Sequence, residues 1–396
     1  MKIAYFSDLM IPYIGGGESY FANLESRIKE LGHETIHITS RIENTKSEEL
    51  VDWKTGDGKV FRLKIKRVPI PFRNNFILGR YFFPLSSLLA TNVVRKYDII
   101  HASTFMAGLS GWLIGKLSRK PTLLFCHEMF LELWKVFGEN FSQRNIYPLV
   151  EKLLTKPYNY FATPSRYSKG QLMRLGVPKE KITVIPHGID PQFNPHVSGS
   201  KLRRELKLES KLVFGFTGRL KLGGTGQSKG LPYLLEAAKL VFDELEDARL
   251  VLGGSNFESL LPIIRDLGIK DKVIYAGKRP YSEISKFYAM LDCFVGASLS
   301  EGFGLAYAEA SRCGKPVVAT KAGSIPEIIL DKRTGLLVEP RNPEALAKAI
   351  IKVLANKNFA RKLGRAGVKY TGRFTWEKSA ENHLKLYKRM LMETKP

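Results

Sequence analysis

Ser300-Glu301-Gly302-Phe303-Gly304-Leu305-Ala306-Tyr307-Ala308-Glu309-Ala310 sets two acids eight positions apart, with small and apolar residues between them. It follows the strand-like run Asp292-Cys293-Phe294-Val295-Gly296-Ala297 and leads into a helix-like run from Leu305 to Cys313. A strand–turn–helix puts Glu301 on the turn and Glu309 on the helix that the turn starts. Gly302 and Gly304 let the backbone approach a ligand, and a helix N-terminus offers free N–H groups to an anion. The expectation is a phosphate pocket with one acid at its mouth and the other about a turn deeper. By itself the pattern also fits two solvated glutamates on an ordinary turn, so the rest of the chain decides.

Outward from this stretch, apolar runs rich in β-branched residues recur: Lys2–Phe6, Glu34–Thr39, Asp98–His101, Thr122–Cys126 and Tyr160–Thr163 in the first half. Leu212–Thr217, Arg249–Gly253, Val273–Gly277, Asp292–Gly296, Pro316–Thr320 and Gly335–Val338 follow in the second. Amphipathic helical segments alternate with the later strands, at Leu231–Phe242, Phe257–Leu267, Ser282–Met290, Leu305–Cys313 and Pro343–Ala355. Such alternation predicts parallel, doubly wound sheets. It starts afresh near Leu212, after the Pro- and Gly-containing stretch Pro186-His187-Gly188-Ile189-Asp190-Pro191. Two Rossmann-like domains with a hinge around residues 186–205 are therefore expected, closed by a helix from Trp376 to Met392.

The 396 residues, 44% hydrophobic and 25% charged, supply apolar material for two cores. No basic, then apolar, leader opens the chain, and no apolar run reaches the roughly 18 residues of a membrane span. Cys126, Cys293 and Cys313 are odd in number and sit among apolar neighbours, which suits buried free thiols in a reducing cytosol and offers no zinc spacing. The net charge of +24 is the anomaly. Lys59 to Tyr97 holds nine basic residues and no acid, interleaved with apolar ones such as Phe61, Ile65, Phe72, Phe76, Ile77, Leu78 and Phe82. That mixture suits an anionic membrane surface, or equally a core strand and helix with snorkelling cations. No RNP, zinc-finger or helix-turn-helix pattern accompanies it, which speaks against nucleic acid.

Gly15-Gly16-Gly17-Glu18 stands too far from the first strand to make the dinucleotide fingerprint at a tight first turn, so a nicotinamide enzyme is not expected. The glycines are read as a loop opening the helix Ser19–Leu31. At the start of the second domain, Thr217-Gly218-Arg219 closes a strand and Ser228-Lys229-Gly230 precedes a helix. An Arg and a Lys at a carboxyl sheet edge can neutralise a departing diphosphate without a metal.

In combination, the early G-G-G-E loop, Ile185-Pro186-His187-Gly188-Ile189-Asp190, the G-R…K-G pair, the paired glutamates, Gly323-Ser324-Ile325-Pro326-Glu327 and Phe374-Thr375-Trp376 resemble family 4 of the retaining glycosyltransferases. The resemblance covers nearly the whole chain and implies the GT-B fold. It assigns residues 1–190 to an acceptor-binding domain, 191–375 to a nucleotide-sugar-binding domain, and 376–396 to a helix packing back on the first. It implies that Arg219 and Lys229 hold the donor diphosphate and that Glu309 accepts hydrogen bonds from the ribose hydroxyls. Glu301, with the N–H groups of Phe303 and Gly304, would lie against the donor sugar. His127, in Leu124-Phe125-Cys126-His127-Glu128, matches the family's cleft histidine, and Gly16 and Gly17 would approach the phosphate or acceptor. One departure is the long interval Lys221–Ser228 between the Arg and the Lys. It makes Lys221 a rival phosphate lysine, with Lys229 preferred because it abuts the next helix.

The implied reaction is transfer of a hexosyl group from a UDP- or GDP-linked sugar to a hydroxyl acceptor, a glycan or a lipid-linked or anionic molecule, with retention and no metal or other cofactor. A cytoplasmic enzyme, peripheral on the inner membrane face, is the corresponding location. A nucleotide-sugar epimerase and a non-catalytic polyanion- or membrane-binding protein are the rival readings.

Overall fold

A computed structural model describes residues 1–10, 16–41, 45–71 and 79–394; Gly15 and positions 72–78 of the basic segment lie outside the described residues. The chain forms two compact units. The first comprises Met1–Trp134, Asn145–Gly188 and Thr375–Pro396, the second Lys135–Arg144 and Ile189–Phe374. Lys135–Arg144, placed in the first domain by sequence, thus groups with the second unit.

In the first unit, β1 (Lys2–Phe6), β2 (Glu34–Arg41), β3 (Glu48–Lys54), β4 (Val60–Pro69), β5 (Ile99–Ser103), β6 (Thr122–Phe125), β7 (Tyr160–Thr163) and β8 (Ile182–Val184) form one sheet, ordered β3-β4-β2-β1-β5-β6-β7-β8. All pairs are parallel except β3 on β4. Before the C-terminal helix, the helices of seven or more residues are α1 (Gly16–Glu30), α2 (Met106–Ser118), α3 (Tyr147–Leu154) and α4 (Arg166–Arg174). Strand alternation sends Ala4, Phe6, Ile100 and Leu124 into one core with α2 and α3, and Ile3, Tyr5, Ile99 and Leu123 into another with α1. Gly16 and Gly17 belong to the first turn of α1 rather than to a preceding loop.

Strands β3 and β4 decide the first part of the basic segment. Leu63 and Ile65 are buried, and the cations meet acids: Arg62 pairs with Asp52 at 3.1 Å, Lys66 with Glu48 at 2.5 Å, Arg67 with Glu49 and Lys59 with Glu30. Of the two readings of this part, the structured strand describes it.

The second unit holds β9 (Leu212–Arg219), β10 (Ala248–Ser255), β11 (Val273–Tyr275), β12 (Cys293–Gly296), β13 (Val317–Thr320) and β14 (Gly335–Val338), all parallel and ordered β11-β10-β9-β12-β13-β14. Its helices of seven or more residues are α5 (Leu231–Glu244), α6 (Ile284–Met290), α7 (Leu305–Arg312), α8 (Pro343–Ala355) and α9 (Lys357–Thr371). The last helix, α10 (Trp376–Glu393), belongs to the first unit, where Trp376, Ala380, Tyr387 and Met390 are buried in the core shared with α1. In each sheet the strand order reverses beside the first strand, between β1 and β5 and between β9 and β12. Crevices at such points, outside the carboxyl strand ends, are where open α/β sheets bind ligands. Among the described residues no helix is long and apolar enough to cross a membrane.

Candidate active site

The second unit's reversal point gathers the sequence's acids and bases. Arg219 ends β9, and the segment Ala297–Gly304 leaves the neighbouring β12. The loop after β9 closes in a short 3-10 turn, Gly224–Lys229, and is tied to the loop after β12 by the Leu299 N–H donating to the Ser228 carbonyl at 2.6 Å. Gly230 follows at φ +60°, where a Cβ would come within 2.0 Å of the Ala297 carbonyl oxygen. Only glycine meets both demands, the left-handed backbone and the close approach. The result brings Lys229 Nζ to Glu301 Oε1 at 2.7 Å.

Lys221 instead pairs with Glu139, whose carboxyl also lies against Gly223 and Gly224. The two rival lysines are thus separated by their partners, and Lys229 is the one beside Glu301.

Glu301 is held from several sides. Ser298 Oγ donates to Glu301 Oε1 at 2.9 Å, and Tyr307 OH donates to Ser298 Oγ at 2.8 Å. The Glu301 carbonyl accepts from the Ser324 N–H at 3.0 Å, beside Gly323 at φ +56°. Gly296 makes room for the chain, because a Cβ there would sit 2.3 Å from the Tyr307 hydroxyl. Tyr307, Ser298, Glu301 and Lys229 therefore form one continuous hydrogen-bonded line. Gly304, at φ +85°, starts α7, while the Phe303 ring packs edge-on against Phe374 at 5.6 Å.

Glu309 lies on α7 and has a different environment. It is buried, and Tyr288 OH donates to its Oε2 at 2.8 Å. Burial pushes its carboxyl up to about 8, with the nearby charge of Asp190 adding to the rise and the Tyr288 bond opposing it. One glutamate of the pair is thus ion-paired while the other is desolvated.

In the first unit, His127 follows β6 and is half-buried among rings. It stacks on His187 at 5.4 Å and meets Tyr20 edge-on at 4.9 Å. Burial drives it down to about 4, so it is neutral at physiological pH. Its Nε2 has no hydrogen-bond partner among the described residues and faces Gly17, whose added Cβ would lie 4.0 Å away. The structure brings Gly17 and His127 together, and Gly16 begins the same helical turn. Beside them at the sheet reversal, Asp8 accepts from the Ala107 N–H at 2.6 Å and pairs with Arg80 at 2.8 Å.

Sequence reasoning missed Ser298, Tyr307, Tyr288, Asp190 and Asp8. Ser298 and Tyr307 flank the motif itself, and a hydroxyl three residues before Glu301 was the available signal.

Residues 200–370 match the model of glycosyl transferases group 1, and residues 14–193 that of glycosyltransferase family 4. A D-inositol 3-phosphate glycosyltransferase of Segniliparus rotundus is 30% identical over 306 residues, 75% of this chain and 67% of the relative. Sucrose-phosphate synthase from Thermosynechococcus elongatus superposes with a TM-score of 0.84 at 22% identity, covering 99% of both chains. The Anabaena protein HepE, solved in complex with UDP-glucose, gives a TM-score of 0.76 at 18% identity over 98% of this chain and 100% of its own. The chain belongs to glycosyltransferase family 4 and has the GT-B fold.

Proposed function

We propose that this glycosyltransferase moves a hexosyl group from a UDP- or GDP-linked sugar to a hydroxyl acceptor with retention at the anomeric carbon. The observation that carries the reading is the Lys229–Glu301 pair at the β9/β12 reversal, with Arg219 on the same sheet edge and the buried Glu309 on α7. A diphosphate at Arg219 and Lys229 takes Lys229 from Glu301, and the freed carboxylate turns to the sugar hydroxyls while Ser298 keeps its grip. The cations and the N–H groups at the start of α7 carry the charge that develops on the leaving diphosphate. Glu309 receives the ribose hydroxyls. His127, neutral and with Nε2 unengaged, is assigned to the sugar and its reacting carbon. In this reading the leaving diphosphate itself helps deprotonate the acceptor on the face it departs from, and the protein positions the reactants. A neighbour solved with UDP-glucose and a relative named for an inositol phosphate support a nucleotide-sugar donor and a polar hydroxyl acceptor.

A thermal-shift panel of UDP, GDP, ADP and their sugar derivatives tests the donor. One nucleotide series raises the melting temperature of the wild type and fails to do so for Glu309→Ala. No shift with any nucleotide sinks the proposal. Lys229→Ala lowers kcat by about a hundredfold or more. Activity survives exhaustive chelation, whereas loss on chelation with recovery on adding magnesium would overturn the metal-free reading.

A further inference from the structure

The helical layer over the core of Phe6, Ile100 and Leu124 carries an outward face that its own packing does not explain. It consists of residues 79–97, α2 and α3. These segments are neighbours: the turn at Phe83–Ser86 packs on α2, Leu154 of α3 sits against Gly108 of α2, and Tyr81 meets Tyr147 hydroxyl to hydroxyl at 3.4 Å. Their inward residues, among them Phe83, Ala90, Ile114, Val150 and Leu154, make the core. Their outward residues are also apolar. Leu85 and Leu89 are each 65% exposed, Leu149 is 56% and Leu153 48% exposed. Each pair is four residues apart, so its members lie on one helical side.

The exposed charges on these segments have one sign. Arg95, Lys96 and Lys152 are exposed on the same segments, and Lys156 is exposed just beyond α3. The acid of α3, Glu151, is turned inward, where it accepts from the Phe130 and Leu131 N–H groups and from Trp134 Nε1. Among the described residues of 79–97, α2 and α3 no acid is exposed. This differs from β4, whose cations are paired with acids. Exposed leucines accompanied by lysine and arginine, with Phe82 the one exposed aromatic among the described residues of these segments, are unlike the core of a protein interface, where lysine is depleted and aromatics enriched. They match an amphipathic surface that beds its aliphatic side chains at the acyl boundary and its cations among anionic headgroups. We propose that this layer is a docking surface for an anionic lipid bilayer.

Flotation with phosphatidylglycerol-containing and pure phosphatidylcholine vesicles tests this by reading binding rather than turnover, so its outcome is separable from the assignment of the reaction. The wild type floats with the anionic vesicles at low salt and much less with the neutral ones. A variant carrying Leu85→Ser, Leu89→Ser, Leu149→Ser and Leu153→Ser keeps its melting temperature and does not float. Lys152→Ala and Lys156→Ala each lower partitioning about fivefold. Because Cys126, Cys293 and Cys313 are buried, a polarity-sensitive dye placed at Leu149→Cys reports depth, and it shifts to the blue on vesicles while the same dye at Leu240→Cys on α5 does not. Three results would overturn the proposal: no flotation; flotation unchanged in the serine variant, which would make it adsorption by bulk charge; or a wild-type dimer that the serines dissociate, which would make the face a contact between copies.

Discussion

Ser298 shows how a neutral side chain can set the behaviour of a charged one. Its hydroxyl takes a bond from Tyr307 and gives one to Glu301, so the carboxylate keeps its place when a ligand claims Lys229. A hydrogen bond to a charged group contributes roughly 1.5–3 kcal/mol, so Ser298→Ala should cost about tenfold or more in kcat. Donor KM should move little, and Tyr307→Phe should show a smaller effect in the same direction. Steady-state kinetics with the donor varied decide it; a change confined to KM would show that Ser298 serves binding alone. Glu309 invites a pH experiment. Its carboxyl lies near 8 in the folded chain against an ordinary 4.5, so folding takes up a proton between those values. Stability from this group therefore declines as pH rises through that window and levels off above it. Ribose hydroxyls donate best to the ionised form, so nucleotide binding expels the proton. Affinity should rise by up to about tenfold per pH unit below 8, and Glu309→Gln should lose the slope. Calorimetry in buffers of different ionisation enthalpy reads the proton directly, and a pH-independent affinity in the wild type would refute it. The ionisable site residues were legible because their chemistry is written in local spacing. Tyr288 and Asp190 were not, because only the folded chain brings them from the preceding helix and from the start of the second unit to Glu309.

The turns between elements carry constraints that single side chains do not. Gly230 links β9 to α5 with a left-handed backbone pressed on the Ala297 carbonyl. Gly230→Ala adds backbone strain of about 1 kcal/mol or more to that contact, so the loop must lift away from β12. The expected outcome is a lower melting temperature together with weakened nucleotide binding, since Lys229 is the preceding residue. If Gly230→Ala melts lower but binds UDP as the wild type does, the loop's register is not what places Lys229. At this scale the sequence was readable where period and length were strong: α8 was anticipated at Pro343–Ala355, the limits observed. Helix α9 was missed because its glycines at 364 and 367 look like breakers. They are instead close-packing points, where a Cβ would meet the Gly314 carbonyl oxygen at 2.2 Å and the Ser311 hydroxyl at 2.4 Å. Strand β4 was only one of two readings of its segment and β3 was missed, because alternating lysines and arginines mask a ribbon whose acids lie on the partner strand.

Over the whole chain, 62 basic residues against 38 acidic ones give a formal charge of +24, yet one cluster of acid-sensitive groups is made of histidines of the first unit. His101, His127, His187 and His383 crowd together with Tyr20 and Phe125 behind β1, β5 and β6. Burial lowers all four, His127 and His383 to about 4. His383 Nδ1 donates to the Ser379 carbonyl within α10, leaving Nε2 to accept from Tyr20, so the neutral ring is built into the α1–α10 contact. A histidine with a depressed folded value stabilises fully above its unfolded value near 6.5 and loses that contribution as pH falls toward 4. Four such groups push the first unit toward acid lability, against the raised carboxyls of Asp8 and Glu151, whereas Glu309 makes the second favour lower pH. The two units should therefore respond with opposite sign between pH 7 and pH 5. Native-state hydrogen exchange, corrected for intrinsic rates, should show lost protection in β1, β5, β6 and α10 at pH 5, with β9, β12 and α7 unchanged or better protected. His383→Gln retains a donor for Ser379 and an acceptor for Tyr20 but cannot charge, so it should flatten the slope of the first unit alone. Equal loss of protection in both units on acidification, or an unaltered slope in His383→Gln, would mean that the buried imidazoles do not govern acid stability and that repulsion among the surface cations does.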